Sequence, residues 1–284
     1  MKNQYEGSNK IDPIVVTPPA SLELPDFREL WEYRGLFYFL VRRDVKLRFQ
    51  QTMIGFLWVV LQPLIQMVIF TVILGVLVKV PTEGVPYPIF FLSGFVVWQF
   101  FSQVVNNSAM SLVGNIGVIL KSYFPRLALP LSTIANAFID FLVCLAVLMV
   151  FLLANGNYPI TMRYIFLPFL VILSIIFSSG VGLLFGASMV VFRDMKNLLG
   201  FILMVWMYLT PIMYPITLVP EQYRYLLYLN PLTGLVEAYR WIFLGLGNLP
   251  SVRYNLISLG VAIVIWFIGA IAFRAMENKV ADVM

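Results

Sequence analysis

Apolar residues run on through most of this chain instead of alternating with polar ones. Six stretches, 56–78, 88–111, 128–154, 164–191, 197–213 and 254–273, carry a single charged residue between them, Asp140. A helix rises about 1.5 Å per residue, so about twenty apolar residues cross a hydrocarbon core ~30 Å thick. The pattern predicts an all-α polytopic membrane protein with six transmembrane helices.

The segment before the first span reads differently. Over 27–51 apolar residues (Phe27, Leu30, Trp31, Leu36, Phe37, Leu40) interleave with Arg28, Glu29, Arg34, Arg42, Arg43 and Lys46 at roughly helical spacing. Such a helix lies in the membrane interface, aromatic side down and basic side toward lipid phosphates. Arg42, Arg43, Lys46 and Arg48 sit within seven positions, and the next charge is Lys79. Basic residues flanking a span stay cytoplasmic. With the N-terminus inside, inner segments hold ten cations (Arg42, Arg43, Lys46, Arg48, Lys121, Arg126, Arg193, Lys196, Arg274, Lys279). Outer segments hold five (Lys79, Arg163, Arg224, Arg240, Arg253). Both termini are therefore expected in the cytoplasm. Residues 1–26, polar and punctuated by Pro13, Pro18, Pro19 and Pro25, read as a poorly ordered tail without a signal peptide. Residues 27–284 read as one transmembrane domain.

The stretch 214–253 breaks the rule of long runs. It is amphipathic and interrupted by Pro215, Pro220, Pro231 and Gly234, and its apolar piece 232–246 is too short to cross. It predicts two short helices that dip into the outer leaflet and return. Irregular backbone at that depth survives only where protein or a water-filled cavity surrounds it.

Composition narrows the chemistry. The 284 residues are 61% hydrophobic and 12% charged, with mean hydropathy +0.88, far from a soluble domain with about a quarter charged residues. Histidine is absent and Cys144 is the only cysteine. Disulfide frameworks, Cys/His metal sites and histidine general bases are excluded within one chain. No phosphate-cradling loop of the GxxxxGK[ST] or GxGxxG kind occurs, so energy for any driven transport comes from another chain or an ion gradient. The net charge of +5 follows membrane topology and not a nucleic-acid footprint.

Few polar groups remain. Asp140 lies mid-span, four residues after Asn136; a carboxyl at that depth serves a structural hydrogen bond or a proton relay. Gln62 with Gln66, and Gln99 with Gln103, form i,i+4 pairs that join helices or wet a channel. Trp58, Trp98, Tyr208 and Trp241 are candidate channel aromatics amid an abundance suited to lipid contact and interfacial belts. The inner loop 111–127 holds Gly114, Gly117, Lys121 and Phe124-Pro125-Arg126, either a plain connection or a lever for a partner. Arg193 and Asp194 end the fourth span as stop residues or a contact.

Five pieces in order, "RRDVKLRFQQTMIGFLWVVLQPL" from Arg42, "LKSYFPRLALPLS" from Leu120, "VFRDMKNLL" from Val191, "YLTPIMYP" from Tyr208 and "LNPLTGLVEAYRWIFLG" from Leu229, resemble the permease subunit of type-2 ABC polysaccharide exporters. The likeness is greatest to O-antigen (Wzm-like) permeases, and teichoic acid and capsule export permeases share the pattern. The resemblance implies a homodimer paired with two copies of a separate ATPase, which would hold ATP and magnesium. It implies a coupling helix around Ile116, Val118, Ile119, Leu120, Lys121 and Tyr123, and an outer gate containing Pro231, Glu237, Tyr239, Arg240 and Trp241. A lipid-linked glycan would enter near the basic helix, its pyrophosphate drawn by Arg42, Arg43, Lys46 and Arg48, in the bacterial inner membrane. Competing expectations are a drug or lipid exporter, a proton-coupled carrier working through Asp140, and a membrane acyltransferase, for which no constellation of polar catalytic groups is present.

Overall fold

The computed structural model describes residues 31–49, 57–119, 124–156, 161–192, 194–246 and 252–277. The tail 1–26 and the start of the basic segment lie outside them. The described residues are mostly helical and contain no strand. We number the helices α1 (Arg34–Phe49), α2 (Leu57–Phe70, continuing as a π-helical stretch Thr71–Leu77), α3 (Tyr87–Gly114), α4 (Ile116–Ile119), α5 (Ala128–Asn155), α6 (Leu167–Val191), α7 (Met195–Leu209), α8 (Glu221–Tyr228), α9 (Pro231–Leu244) and α10 (Val252–Glu277).

Five helical segments are long and apolar enough to cross a membrane: 57–77, 87–114, 128–155, 162–191 and 256–276. The chain is a multi-pass membrane protein. The stretch expected as a span over 197–213 forms the 15-residue α7, about 22 Å long, and ends in an irregular turn. Near its C-terminal end the Trp206 indole reaches Asn230, the residue before α9. Leu40 of α1 and Phe273 near the C-terminal end of α10 share one buried cluster, so these two segments meet at one end of the bundle.

α3 is the hub. Every residue from Ile89 to Phe101 is buried, as an all-round apolar helix must be when its neighbours enclose it. Its aromatics stack with one another and with their neighbours, Phe70 with Phe91 at 5.0 Å, Phe91 with Phe95 at 5.1 Å and Phe101 with Phe177 at 5.2 Å, and Phe101 meets Trp206 edge-on at 5.1 Å. Much of the aromatic content expected at lipid belts instead builds helix contacts, because stacked rings gain dispersion energy in hydrocarbon, where burial alone gives helices no drive to associate.

Against this hub α6 presents small residues. A Cβ on Gly182 would come within 2.8 Å of the Ser108 side chain. On its other side α6 meets α10 still more closely: a Cβ on Gly180 would lie 2.5 Å from the Trp266 Cα, and one on Gly269 2.1 Å from the Gly180 carbonyl oxygen. Backbones approach this closely only where side chains are absent. Gly180→Ala must push α6 and α10 apart; overpacking of this kind costs about 1–3 kcal/mol. A lowered thermal midpoint of the purified protein checks it, with Gly200→Ala, whose Cβ meets open space, as the neutral control.

A second, smaller cluster closes the α1 end. Leu40 of α1, Leu112, Ile119 of α4, Leu127, Leu129, Leu183, Val190 and Phe273 pack together there. The basic helix is thereby fastened to the bundle on its Leu40 side, while Tyr38, Phe39 and Leu47 remain exposed.

Candidate functional site: a polar cavity beside the basic helix

From Ser102 to Asn115 the lower part of α3 changes character. Gln103, Asn106, Asn107, Ser111 and Asn115 recur at three- and four-residue intervals, which sets them on one helical face. They line a cavity of about 740 Å³. α2 contributes Trp58 and Gln62, α5 contributes Thr133 and Asn136, and α1 closes it with Asp44 and Arg48. Amides and hydroxyls, with Trp58, Met110 and Leu203 between them, offer donors and acceptors along this lining.

The charges around the cavity are organised. Asp140, 1% exposed, receives Arg48 at 2.8 Å, whose side chain keeps 37% exposure. An ion in the middle of a span is tolerated when a countercharge reaches it, and here the countercharge comes from the basic helix α1. Arg43 pairs with Asp44 at 2.7 Å, and its Nη2 donates to the Asn115 side-chain oxygen at 2.8 Å. The Asn115 amide donates in turn to the Ser111 carbonyl at 2.8 Å. Asn115 is the residue between α3 and α4, so one side chain joins the basic helix, the cavity wall and the short helix of the inner loop.

Of the four basic residues singled out from sequence, Arg42 and Lys46 are exposed, whereas Arg43 and Arg48 hold carboxylates. Ile116 and Val118 are half-buried and Ile119 is buried in the second cluster. Leu120, Lys121, Tyr123 and Arg193 lie outside the described residues. Gln62 reaches the cavity; Gln66, one turn on, is half-buried and does not line it. Trp58 lines the cavity, Tyr208 is exposed, and Trp98 is buried with its ring 5.7 Å from Phe101. Asn106, Asn107 and Asn115 escaped the sequence reading, although amides repeating at helical spacing were the available signal.

The opposite end of the bundle is knitted by side chains reaching a non-helical turn. Tyr87 donates to the Met213 carbonyl at 3.0 Å, and Arg240 Nη2 to the Ile212 carbonyl at 2.7 Å. Asn230 caps α9 by accepting from the Leu232 N–H at 3.1 Å, accepts from the Trp206 indole at 3.0 Å and donates to Thr210 at 2.9 Å. Pro231, without an N–H, occupies the first position of α9, where none is needed. Arg240 also pairs with Glu237 at 3.2 Å and lies 3.8 Å over the Phe90 ring; Tyr239 is fully buried, and Trp241 packs under Arg163. The Ile212 and Met213 carbonyls freed by the turn are thus met by side chains of the bundle.

A membrane-crossing helical bundle with a polar cavity beside a basic helix has the make-up of a membrane permease. Residues 35–244 match the family described as ABC-2 type transporter, and the chain belongs to that family. It is 28% identical over 251 residues to the O-antigen export system permease protein RfbA of Klebsiella pneumoniae, covering 88% of this chain and 95% of that protein. It is 27% identical over 258 residues to the RfbA of Myxococcus xanthus, covering 90% and 97%. A polysialic acid transport protein KpsM of Escherichia coli is 30% identical over 243 residues, covering 84% and 92%.

Proposed function

We propose that this chain is the permease of an ATP-driven exporter that moves a lipid-linked polysaccharide of O-antigen type across the bacterial inner membrane. It works as a homodimer with two copies of a separate ATPase, which carries ATP and magnesium. The observation that carries the reading is the amide-lined cavity opening beside α1: glycan hydroxyls exchange hydrogen bonds with Gln, Asn, Ser and Thr without being held by charge. Capsule or teichoic acid export fits the same lining, and the KpsM likeness supports keeping it as the alternative.

In this reading both termini face the cytoplasm, α7 and its turn serve as the fifth of six crossings, and the α8–α9 hairpin is a re-entrant outer gate. Exposed side chains along α2 (Ile65, Val68, Ile69) and α7 (Phe201, Met204, Tyr208) support a second copy completing the pathway there. The inner loop around α4 receives the motion of the ATPase. Asn115 passes it to the cavity wall and, through Arg43, to the basic helix. The pyrophosphate of the carrier lipid is attracted chiefly by Arg42 and Lys46, whose charges are exposed, at about 1 kcal/mol each near the surface.

The test is export in cells with the cognate ATPase co-expressed. Arg42→Glu with Lys46→Glu should cut surface glycan several-fold while the permease still co-purifies with its ATPase. Wild-type surface glycan in that variant would remove the role given to the two cations. Failure of the wild-type permease to co-purify with any ATPase would remove the exporter reading itself.

A further inference from the structure

An apolar groove lies at the hairpin end, away from the polar cavity. It encloses about 380 Å³ between α6, α9 and α10. Gly234, Ala238 and Ala262, all small, line it, and Phe166 and Trp241 flank it with ring centroids 6.0 Å apart. Its one polar side chain, Ser258, donates its hydroxyl to the Tyr228 carbonyl at 3.1 Å. Nothing in the lining calls for water, so the groove is dry.

A cation stands beside this groove. Arg163 lies 5.2 Å over the Trp241 ring and donates to the Trp241 carbonyl at 3.4 Å. Gly245, at φ 67°, makes room for it: a Cβ there would lie 2.7 Å from Arg163 Nη1. Among the described residues no carboxylate forms an ion pair with Arg163. Groove and guanidinium together have the polarity of a phospholipid, with hydrocarbon below and a phosphate above.

We propose that the groove between α6, α9 and α10 holds one acyl chain of a membrane phospholipid whose phosphate is bound by Arg163. Two of the helices that frame the groove, α6 and α10, are long and apolar enough to cross the bilayer, so its occupant comes from lipid. The Arg163 guanidinium, which forms no ion pair among the described residues, selects an anionic headgroup by a charge-assisted hydrogen bond. The chain fills the space behind Trp241 and seats α9 against α6 and α10, so that lipid occupancy holds the hairpin in place. This site does not depend on what the protein exports.

Native mass spectrometry of the full-length protein in mild detergent tests it. Delipidated protein is titrated with phosphatidylglycerol, with phosphatidylcholine of the same chains, or with polyprenyl phosphate. The wild type should retain one phosphatidylglycerol per chain and prefer it to phosphatidylcholine by roughly fivefold, the weight of one cation at an anionic surface. Arg163→Gln should bring that preference to parity, and Ala238→Phe, which fills the groove, should abolish retention. Retention unchanged in both variants overturns the proposal. Displacement of phosphatidylglycerol by polyprenyl phosphate in equal numbers overturns it in favour of the carrier lipid, and loss of the dimer in Ala238→Phe overturns it in favour of a second copy of the chain. Should Ala238→Phe fail to fold, the headgroup preference of Arg163→Gln, a half-exposed position, decides alone.

Discussion

Arg48→Ala is expected to destabilise the protein more than Asp140→Asn does, although the two residues form one ion pair. The reason is the asymmetry of their surroundings. Asp140 is 1% exposed, so removing Arg48 strands a carboxylate in the bundle; breaking a buried pair from one side costs about 3–5 kcal/mol. Arg48 keeps 37% exposure and lines the polar cavity, so removing the carboxylate lets the guanidinium turn to water and amides, at a cost of about 1–2 kcal/mol once solvent screening is allowed for. The double variant Arg48→Ala/Asp140→Asn should recover most of the loss, because neither charge is then left behind. Thermal midpoints of the four purified proteins give the coupling directly. A double variant whose loss equals the sum of the two single losses would show that the pair contributes nothing. A normally folded Asp140→Asn with transport abolished would instead put the carboxyl in a proton path.

Arg240→Met should loosen the hairpin end of the bundle. Arg240 is 2% exposed and serves three partners: the Glu237 carboxylate, the Ile212 carbonyl and the Phe90 ring. Methionine fills much of the volume but leaves a buried acceptor and a carboxylate without a donor, worth about 3–5 kcal/mol together. Arg240→Lys keeps the charge and loses the planar fork, so it cannot serve Glu237 and Ile212 at once and should fall between. Gly94, whose added Cβ would lie 3.2 Å from Arg240 Nη2, makes the space the fork needs. Hydrogen exchange over 210–240 should rise in Arg240→Met, whereas exchange in α5 should not change. Adding Glu237→Gln to Arg240→Met should restore part of the protection; no restoration would mean the carboxylate is not what the arginine holds.

The long helices were legible because their cause is local. Runs such as 128–154 and 164–191 are apolar enough that lipid decides their state, and the structure extends them by only a residue or two at either end. The two short helices of 214–253 were legible too, since Pro220 and Pro231 stand where α8 and α9 begin. α7 was harder: the residues after Leu209 are as apolar as those before it, but Pro211 and the partners waiting in Tyr87, Asn230 and Arg240 draw the chain into a turn. The site was read only in part. Its basic helix announced itself by charge, but charge alone could not say that Arg43 and Arg48 already hold carboxylates while Arg42 and Lys46 remain exposed.

The sequence by itself determined that this is a helical membrane protein, with a basic segment at one end and a broken hairpin at the other. Those features depend on transfer of each segment between water and hydrocarbon, a sum over neighbouring residues. Only the tertiary structure decided which polar groups meet. Arg43 and Asn115 stand 72 positions apart, and Asp140 finds Arg48 across two helices. Such pairs depend on how α1, α3 and α5 pack, and that packing is set by glycines, aromatic rings and the Leu40 cluster acting at a distance along the chain.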